Sequence, residues 1–202
     1  MDALQLLLIE HARAHSGAVA PGSGPLWLQD ALLDGLTDEQ LRLRPGDVGN
    51  SLAWLLWHIT RIEDVATNVV LTAGPQVLDE EGWHERLKVE RRDVGTGMAE
   101  VSVADFGSRV DIPGLRAYRA AVGCRTRELI TAMRPEELLL PVTSADVDRA
   151  AATGAFAPEG EWLRSFWTGR PKAWYLSWTA VGHSYVHLGE AMTVKGRLLS
   201  RV

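Results

Sequence analysis

Apolar residues recur at helical spacing in four long stretches of this chain. The first runs from residue 2 to 15 and carries Leu4, Leu7 and Leu8, followed on the same spacing by His11 and His15. The Pro/Gly-rich PGSGP at 21–25 interrupts the pattern. It resumes from Leu26 to Leu36, with Leu32, Leu33 and Leu36 apolar, and Thr37 reads as the cap of a short helical turn, DEQLRLR. RPGDVGN at 44–50 is a loop, after which Asn50 or Ser51 can cap a second long helix that ends near Thr72, before Gly74-Pro75. On that helix Trp54, Leu55, His58, Ile62, Val65 and Val69 share one stripe, and Arg61, Asp64 and Asn68 lie off it. Residues 75–111 are less regular: DEEGWHERLKVERRD reads as a charged surface helix, and GTGMAEVSVADFG as a short strand pair or an ordered loop. Asp111-Ile112-Pro113 opens a third long helix, with proline near the first turn where its missing N–H is tolerated. Its stripe is Leu115, Tyr118, Val122, Leu129 and Met133, and Pro135 ends it. Residues 136–157 read as loop, Glu161 to Thr168 as one short helix, and Gly169-Arg170-Pro171 as the entry to a long final helix. Four long helices with long connections predict an all-α chain, a four-helix bundle with extra short helices, whose core can hold a metal built from facing helices.

Composition narrows this reading. A length of 202 residues fits one domain, 1–202, with a substantial core. The formal net charge of −5, with both signs interspersed, argues against a nucleic-acid surface, which shows a basic excess or stripe. No apolar run approaches the ~20 residues of a membrane span. The LQLLLI run follows Asp2 and lacks a basic leader, so it does not read as a signal peptide. The single cysteine, Cys124, excludes an intrachain disulfide framework and is most simply a small buried residue. A cytoplasmic protein is expected. The eight tryptophans serve either core packing or a wide aromatic pocket.

The candidate chemistry is concentrated in the final helix. His183, His187 and Glu190 fall on one stripe, at steps of roughly 40° and −20° from His183. Two imidazoles at i and i+4 can grip one divalent ion, and a third ligand must come from elsewhere. His58 is the best candidate, as the one strongly polar group in the middle of an apolar face. A lone buried histidine is more often satisfied by a hydrogen bond than by a metal; the i, i+4 pair shifts that balance. A rival pair, His11 and His15, reads as a half-exposed polar edge near a frayed terminus and is expected to bind no metal. Glu190 either orients a ligand imidazole through its second nitrogen or pairs on the surface with Arg197.

WLLWHITRIED at 54–64 and GHSYVHLGEAM at 182–192 together resemble the DinB-like (DinB/YfiT) superfamily. The resemblance implies a four-helix bundle, often homodimeric, that binds Zn²⁺, Ni²⁺ or a similar divalent ion through one histidine on the second helix and a pair on the last. By position these are His58, His183 and His187. This chain departs from the compact members by insertions at about 76–110 and 140–170, expected to cover the metal face or an edge, so no substrate carries over. Characterised branches include thiol S-transferases and a thiol-dependent isomerase that use low-molecular-weight thiols such as bacillithiol or mycothiol. The resemblance therefore implies a metal-dependent thiol transferase acting on a small-molecule thiol and an electrophilic substrate. The alternatives are a metal-dependent hydrolase and a metal-binding stress-response or interaction protein without turnover.

Overall fold

The computed structural model describes residues 1–22, 27–47 and 49–200. In chain order the helices are α1 (Ala3–Ala14), α2 (Leu28–Leu33), α3 (Asp38–Arg42), α4 (Leu52–Asp64), α5 (Trp83–Leu87), α6 (Glu100–Arg109), α7 (Ile112–Ala132), α8 (Ser144–Ala152), α9 (Leu163–Trp167), α10 (Lys172–Tyr175) and α11 (His183–Leu199). Two stretches of π-helix extend this set. Val65–Leu71 continues α4, and Leu176–Gly182 joins α10 to α11. No strand occurs among the described residues beyond an isolated bridge, Pro141 to Pro171. The break expected at 21–25 and the helix start at Leu26 fall partly outside the described residues, as does part of the 44–50 loop.

Caps set where the long helices begin. Asp2 and Gln5 form a capping box on α1. On α4 it is Ser51, not Asn50, that caps: its Oγ accepts from Trp54 N–H at 3.1 Å, a bond contributing ~1 kcal/mol. Asp111 caps α7 through Gly114 N–H, with Pro113 in the first turn. Thr37 closes a capping box on α3 with Gln40. The four long segments then close a ring. α1 packs on α7, α7 on α4, α4 on α11, and the π stretch before α11 packs back on α1. That arrangement is a four-helix bundle. One apolar cluster joins Leu52, Leu55, Trp57 and Ile59 to Leu115, Tyr118, Val122 and Leu188; a second surrounds Val65, Val69, Trp167 and Tyr175.

Three sequence expectations give way. GTGMAEVSVADFG contains no strand: α6 buries Val103 and Phe106, an i, i+3 pair that outweighs the β-branched composition. The stretch at 136–157 contains a 3₁₀ turn, Pro135–Leu139, and α8, which starts on a Thr143/Asp146 capping box. DEEGWHERLKVERRD supplies only the five-residue α5, and its Trp83 and Leu87 are buried. The off-stripe polar residues of α4 are also buried, because the segment after it folds back over them. Asp64 accepts from the N–H groups of Val77 and Leu78 at 2.9 and 3.1 Å and from Asn68 Nδ2 at 2.8 Å. Arg61 donates to Asp64, to Tyr118 Oη and to the carbonyl of Arg92. Every side chain of α4 is consequently buried, so the helix is the central element of the bundle.

Candidate metal centre

α4 and α11 bring His58, His183 and His187 together. One ring nitrogen from each lies within 4.8 Å of the other two. The ring centroids are 5.0 Å apart for His58–His183, 5.0 Å for His58–His187 and 4.6 Å for His183–His187. The rings meet edge to face, an arrangement that aims nitrogens at a common point instead of stacking carbons. His58 is buried, and His183 and His187 are half-buried toward solvent.

The outer nitrogens decide which lone pairs remain. His58 Nδ1 faces the carbonyl oxygen of Val94. A carbonyl only accepts, so Nδ1 carries the proton and Nε2 presents a lone pair. His187 Nδ1 lies 2.8 Å from Glu190 Oε2. The same logic frees its Nε2. Asn50 Nδ2 holds the other oxygen of Glu190 at 2.9 Å. Glu190 thus orients the His187 ring of the candidate centre; no ion pair with Arg197 is present among the described residues. His183 makes no side-chain hydrogen bond among the described residues, and its Nδ1 is buried without a partner. Burial lowers the His58 pKa to about 4 and, with the neighbouring His58 and His187 rings, that of His183 to about 2. Both rings are therefore neutral at pH 7, the form that binds metal. Two outer nitrogens held by acceptors, one unsatisfied imidazole and the neutral His58 and His183 rings fit a divalent cation.

Trp54 stacks on His58, with centroids 4.8 Å apart and an interplanar angle of 12°. Its Nε1 points at Met98 Sδ, 3.2 Å away. Met98 and Val94 come from the segment between α5 and α6, which lies against Trp54 and His58 on one side of the centre. Trp57 and Trp167 are core residues, 0% and 1% exposed. Sequence reasoning missed the Val94 carbonyl, a backbone group without a sequence signal. It also read Asn50 only as a cap, although its side chain bonds Glu190.

The rival pair is not where the sequence suggested. His11 and His15 are fully buried, because the end of α1 packs on α7 and on the π stretch preceding α11. Both face Glu63 of α4: His11 Nε2 lies 2.7 Å from one carboxylate oxygen and His15 Nε2 2.9 Å from the other. These groups too lie close enough together to hold an ion. Burial alone would raise the Glu63 carboxyl; the facing His15 and His11 rings overcome that and hold it well below the usual carboxylate range. Burial, then Arg119, lowers the His15 pKa to about 3. The His15 ring is thus neutral and its Nε2–H donates to an ionised Glu63. Arg119, lowered by burial only to about 10, stays charged 3.9 Å from the same carboxylate. Glu63 was not singled out in the sequence, although a carboxylate between Ile62 and Val65 on the most apolar helix was a usable signal.

An all-α bundle with a three-histidine centre between its second and last long helices defines a class before any comparison. The comparisons supply the family: the model of the DinB superfamily matches residues 28–191, and the chain belongs to that superfamily. A crystal structure described as the conserved protein of locus from Enterococcus faecalis is similar over 99% of both chains. Its TM-score is 0.69 at 17% identity, so the likeness is one of fold. No curated protein matches.

Proposed function

We propose that the protein is a divalent-metal-dependent enzyme that transfers a low-molecular-weight thiol to an electrophilic substrate, with His58, His183 and His187 as the ligands. The observation that carries this reading is the tautomer assignment: Val94 and Glu190 occupy the outer nitrogens of two rings, so their lone pairs face the common point. The group contains three side chains and no fourth among the described residues, which is the ligand count of a catalytic zinc site. A bound cation would supply thiol activation, lowering the pKa of a coordinated S–H. The chain's own part is to hold three imidazoles in place and to leave the half-buried side of His183 and His187 accessible. The α1 pair stays metal-free in this reading, since its convergent nitrogens carry protons.

Protein purified without immobilised nickel and assayed for metal should carry one divalent ion per chain. His183→Ala should carry none, while the His11→Ala/His15→Ala double variant should keep its ion. Loss of metal from the double variant alone would place the ion at the wrong pair and sink the assignment. The activity is tested with bacillithiol, mycothiol and glutathione, each with an electrophilic acceptor, with metal supplied and then chelated. Turnover needing both thiol and metal and lost in His58→Ala is the expected result. Metal-dependent, thiol-independent ester cleavage would make the protein a hydrolase. Inactivity across the panel in metal-loaded protein would favour the non-catalytic alternative.

A further inference from the structure

The histidine pair of α11 is preceded by a wide turn, Leu176–Gly182, whose effect is to change register. In an unbroken α-helix Trp178 would stand about 140° away from His183, five residues on. A π turn closes on i+5 instead of i+4, so residues five apart return to one face. Here the Trp178 and His183 rings lie 6.2 Å apart. Trp174, one turn earlier, stacks on Trp178 at 6.5 Å with 29° between planes. The inserted residue thus joins an aromatic stripe, Trp174 and Trp178, to the metal-ligand stripe, His183 and His187.

Packing accounts for only part of this stripe: Trp174 is partly buried against the second apolar cluster, edge to face with Phe166 and Tyr175. Trp178 is half-exposed and belongs to neither apolar cluster among the described residues. Gly182 makes room for it: a Cβ there would lie 3.2 Å from Trp178 Cε3 and 3.2 Å from the carbonyl of Ser177. At the far end stands Arg170, exposed, its guanidinium carbon 5.3 Å from the Trp174 ring centre and 5.4 Å from that of Phe166. Arg170 has no carboxylate partner among the described residues; its Nε donates to the Phe166 carbonyl at 3.2 Å. Arg170, with no carboxylate partner among the described residues, Trp174, Trp178 and the candidate metal centre therefore follow one another in a series of successive contacts.

We infer that the electrophilic substrate is a planar, conjugated or aromatic anion, its flat body on Trp178 and Trp174 and its carboxylate or similar group at Arg170. This rests on the proposed enzymatic reading for what happens at the metal end, but binding on the ridge is a separate matter. The flat body gains stacking contact with the two indoles. The anion gains a charge-assisted bond to a guanidinium already set in place by two aromatic faces. A compact aliphatic acceptor would leave both indoles uncovered and would not reach Arg170.

The test uses the full chain, metal-loaded, with naphthoate and its neutral counterpart naphthalenemethanol as probes, followed by quenching of tryptophan fluorescence and by calorimetry. Naphthoate should bind more tightly than the neutral probe. Arg170→Gln, an exposed substitution that leaves the core intact, should abolish that preference, weakening naphthoate about tenfold. Trp174→Ala should weaken both probes by a similar factor. In both variants metal content should be unchanged. Equal binding of the two probes to the wild type, or naphthoate affinity unaltered in both variants, overturns the inference, as does failure of naphthoate to bind at all. Binding with this pattern in a protein without thiol transferase activity would uphold the ridge while removing the proposed reaction, so the two can fail separately.

Discussion

The two His-x-x-x-His pairs of this chain share a sequence pattern, and both find their third partner on α4, although His183 and His187 both lie within α11 whereas His15 is the extended C-cap residue that follows α1. They differ in what that partner is. At α11 it is His58, a neutral donor, and the outer nitrogens of His58 and His187 are occupied so that lone pairs converge. At α1 it is Glu63, and the convergent nitrogens are N–H groups donating to its carboxylate. The outer Nδ1 atoms of His11 and His15 are buried and unpartnered. Charge separates the two clusters further. Glu63 is already offset by Arg119, which also reaches Gln29 at 2.6 Å, so a divalent cation beside them would leave a fully buried excess of positive charge. Desolvating such charge costs several kcal/mol. The spacing of the two histidines therefore decides little; the protons on the inward nitrogens and the charge of the third group decide whether a metal is invited.

The largest effect expected from breaking this contrast is at Glu63. Replacing it with Ala strands the Arg119 guanidinium and two imidazole N–H groups in the core, and should cost ~3–5 kcal/mol of folding stability. Urea unfolding of metal-free protein measures this directly. A loss below ~1 kcal/mol would mean that the α1 cluster is not a charge lock. Addition of zinc that restores the variant would mean that the cluster tolerates a cation after all.

Acid should reveal the same difference on a smaller scale. His15 titrates near 6.5 when unfolded but only near 3 when folded. Between those values the unfolded chain holds more protons, so stability is lost as pH falls through that window. One such group loses about 2 kcal/mol between pH 6.5 and 5. Glu63, held well below its usual range, adds a loss of the same sign below its unfolded value of 4.5. In His15→Gln, which keeps a donor for Glu63 without a titrating ring, metal-free protein should lose correspondingly less stability between pH 7 and pH 5. Equal losses in variant and wild type would show that His15 is already charged in the fold.

Much of the frame was legible because it follows from local spacing. The stripes of α4 and α7, the Asp111-Ile112-Pro113 start and the Thr37 cap all depend on residues within a turn or two of one another. The candidate cluster of His58, His183 and His187 was legible from the stripes of two helices, helped by the resemblance. Burial at a distance was not. His11 and His15 read as a half-exposed polar edge near a frayed terminus, whereas α7 and the π stretch before α11 cover them. Arg61 and Asp64 read only as lying off the apolar stripe, because nothing in the sequence says that Val77, Leu78 and Arg92 fold back over α4. The π turn was equally silent: the sequence reads as one continuous final helix, in which Trp178 and His183 would lie about 140° apart. Local rules thus place the candidate histidines, and long-range covering sets their surroundings.

The finest distinction between the clusters lies in how the ligand rings are held, and Glu190 tests it. Its carboxylate is fixed from behind by Asn50 and faces His187 Nδ1 in front. The hydrogen bond from His187, against the opposing effect of burial, lowers its pKa, so the group is an anion at neutral pH. An anionic acceptor on Nδ1–H makes Nε2 a better donor to metal as well as fixing the tautomer. Glu190→Gln keeps an oxygen able to accept that bond but removes the charge, so orientation survives while basicity falls. Metal affinity, measured by competition with a chromophoric chelator, should drop about tenfold, with folding stability of the metal-free protein nearly unchanged because Glu190 is part-exposed. An unchanged affinity would mean that the helix backbone alone positions His187. A complete loss of metal would mean that Glu190 is itself a ligand, which would close one of the positions the proposed chemistry needs open.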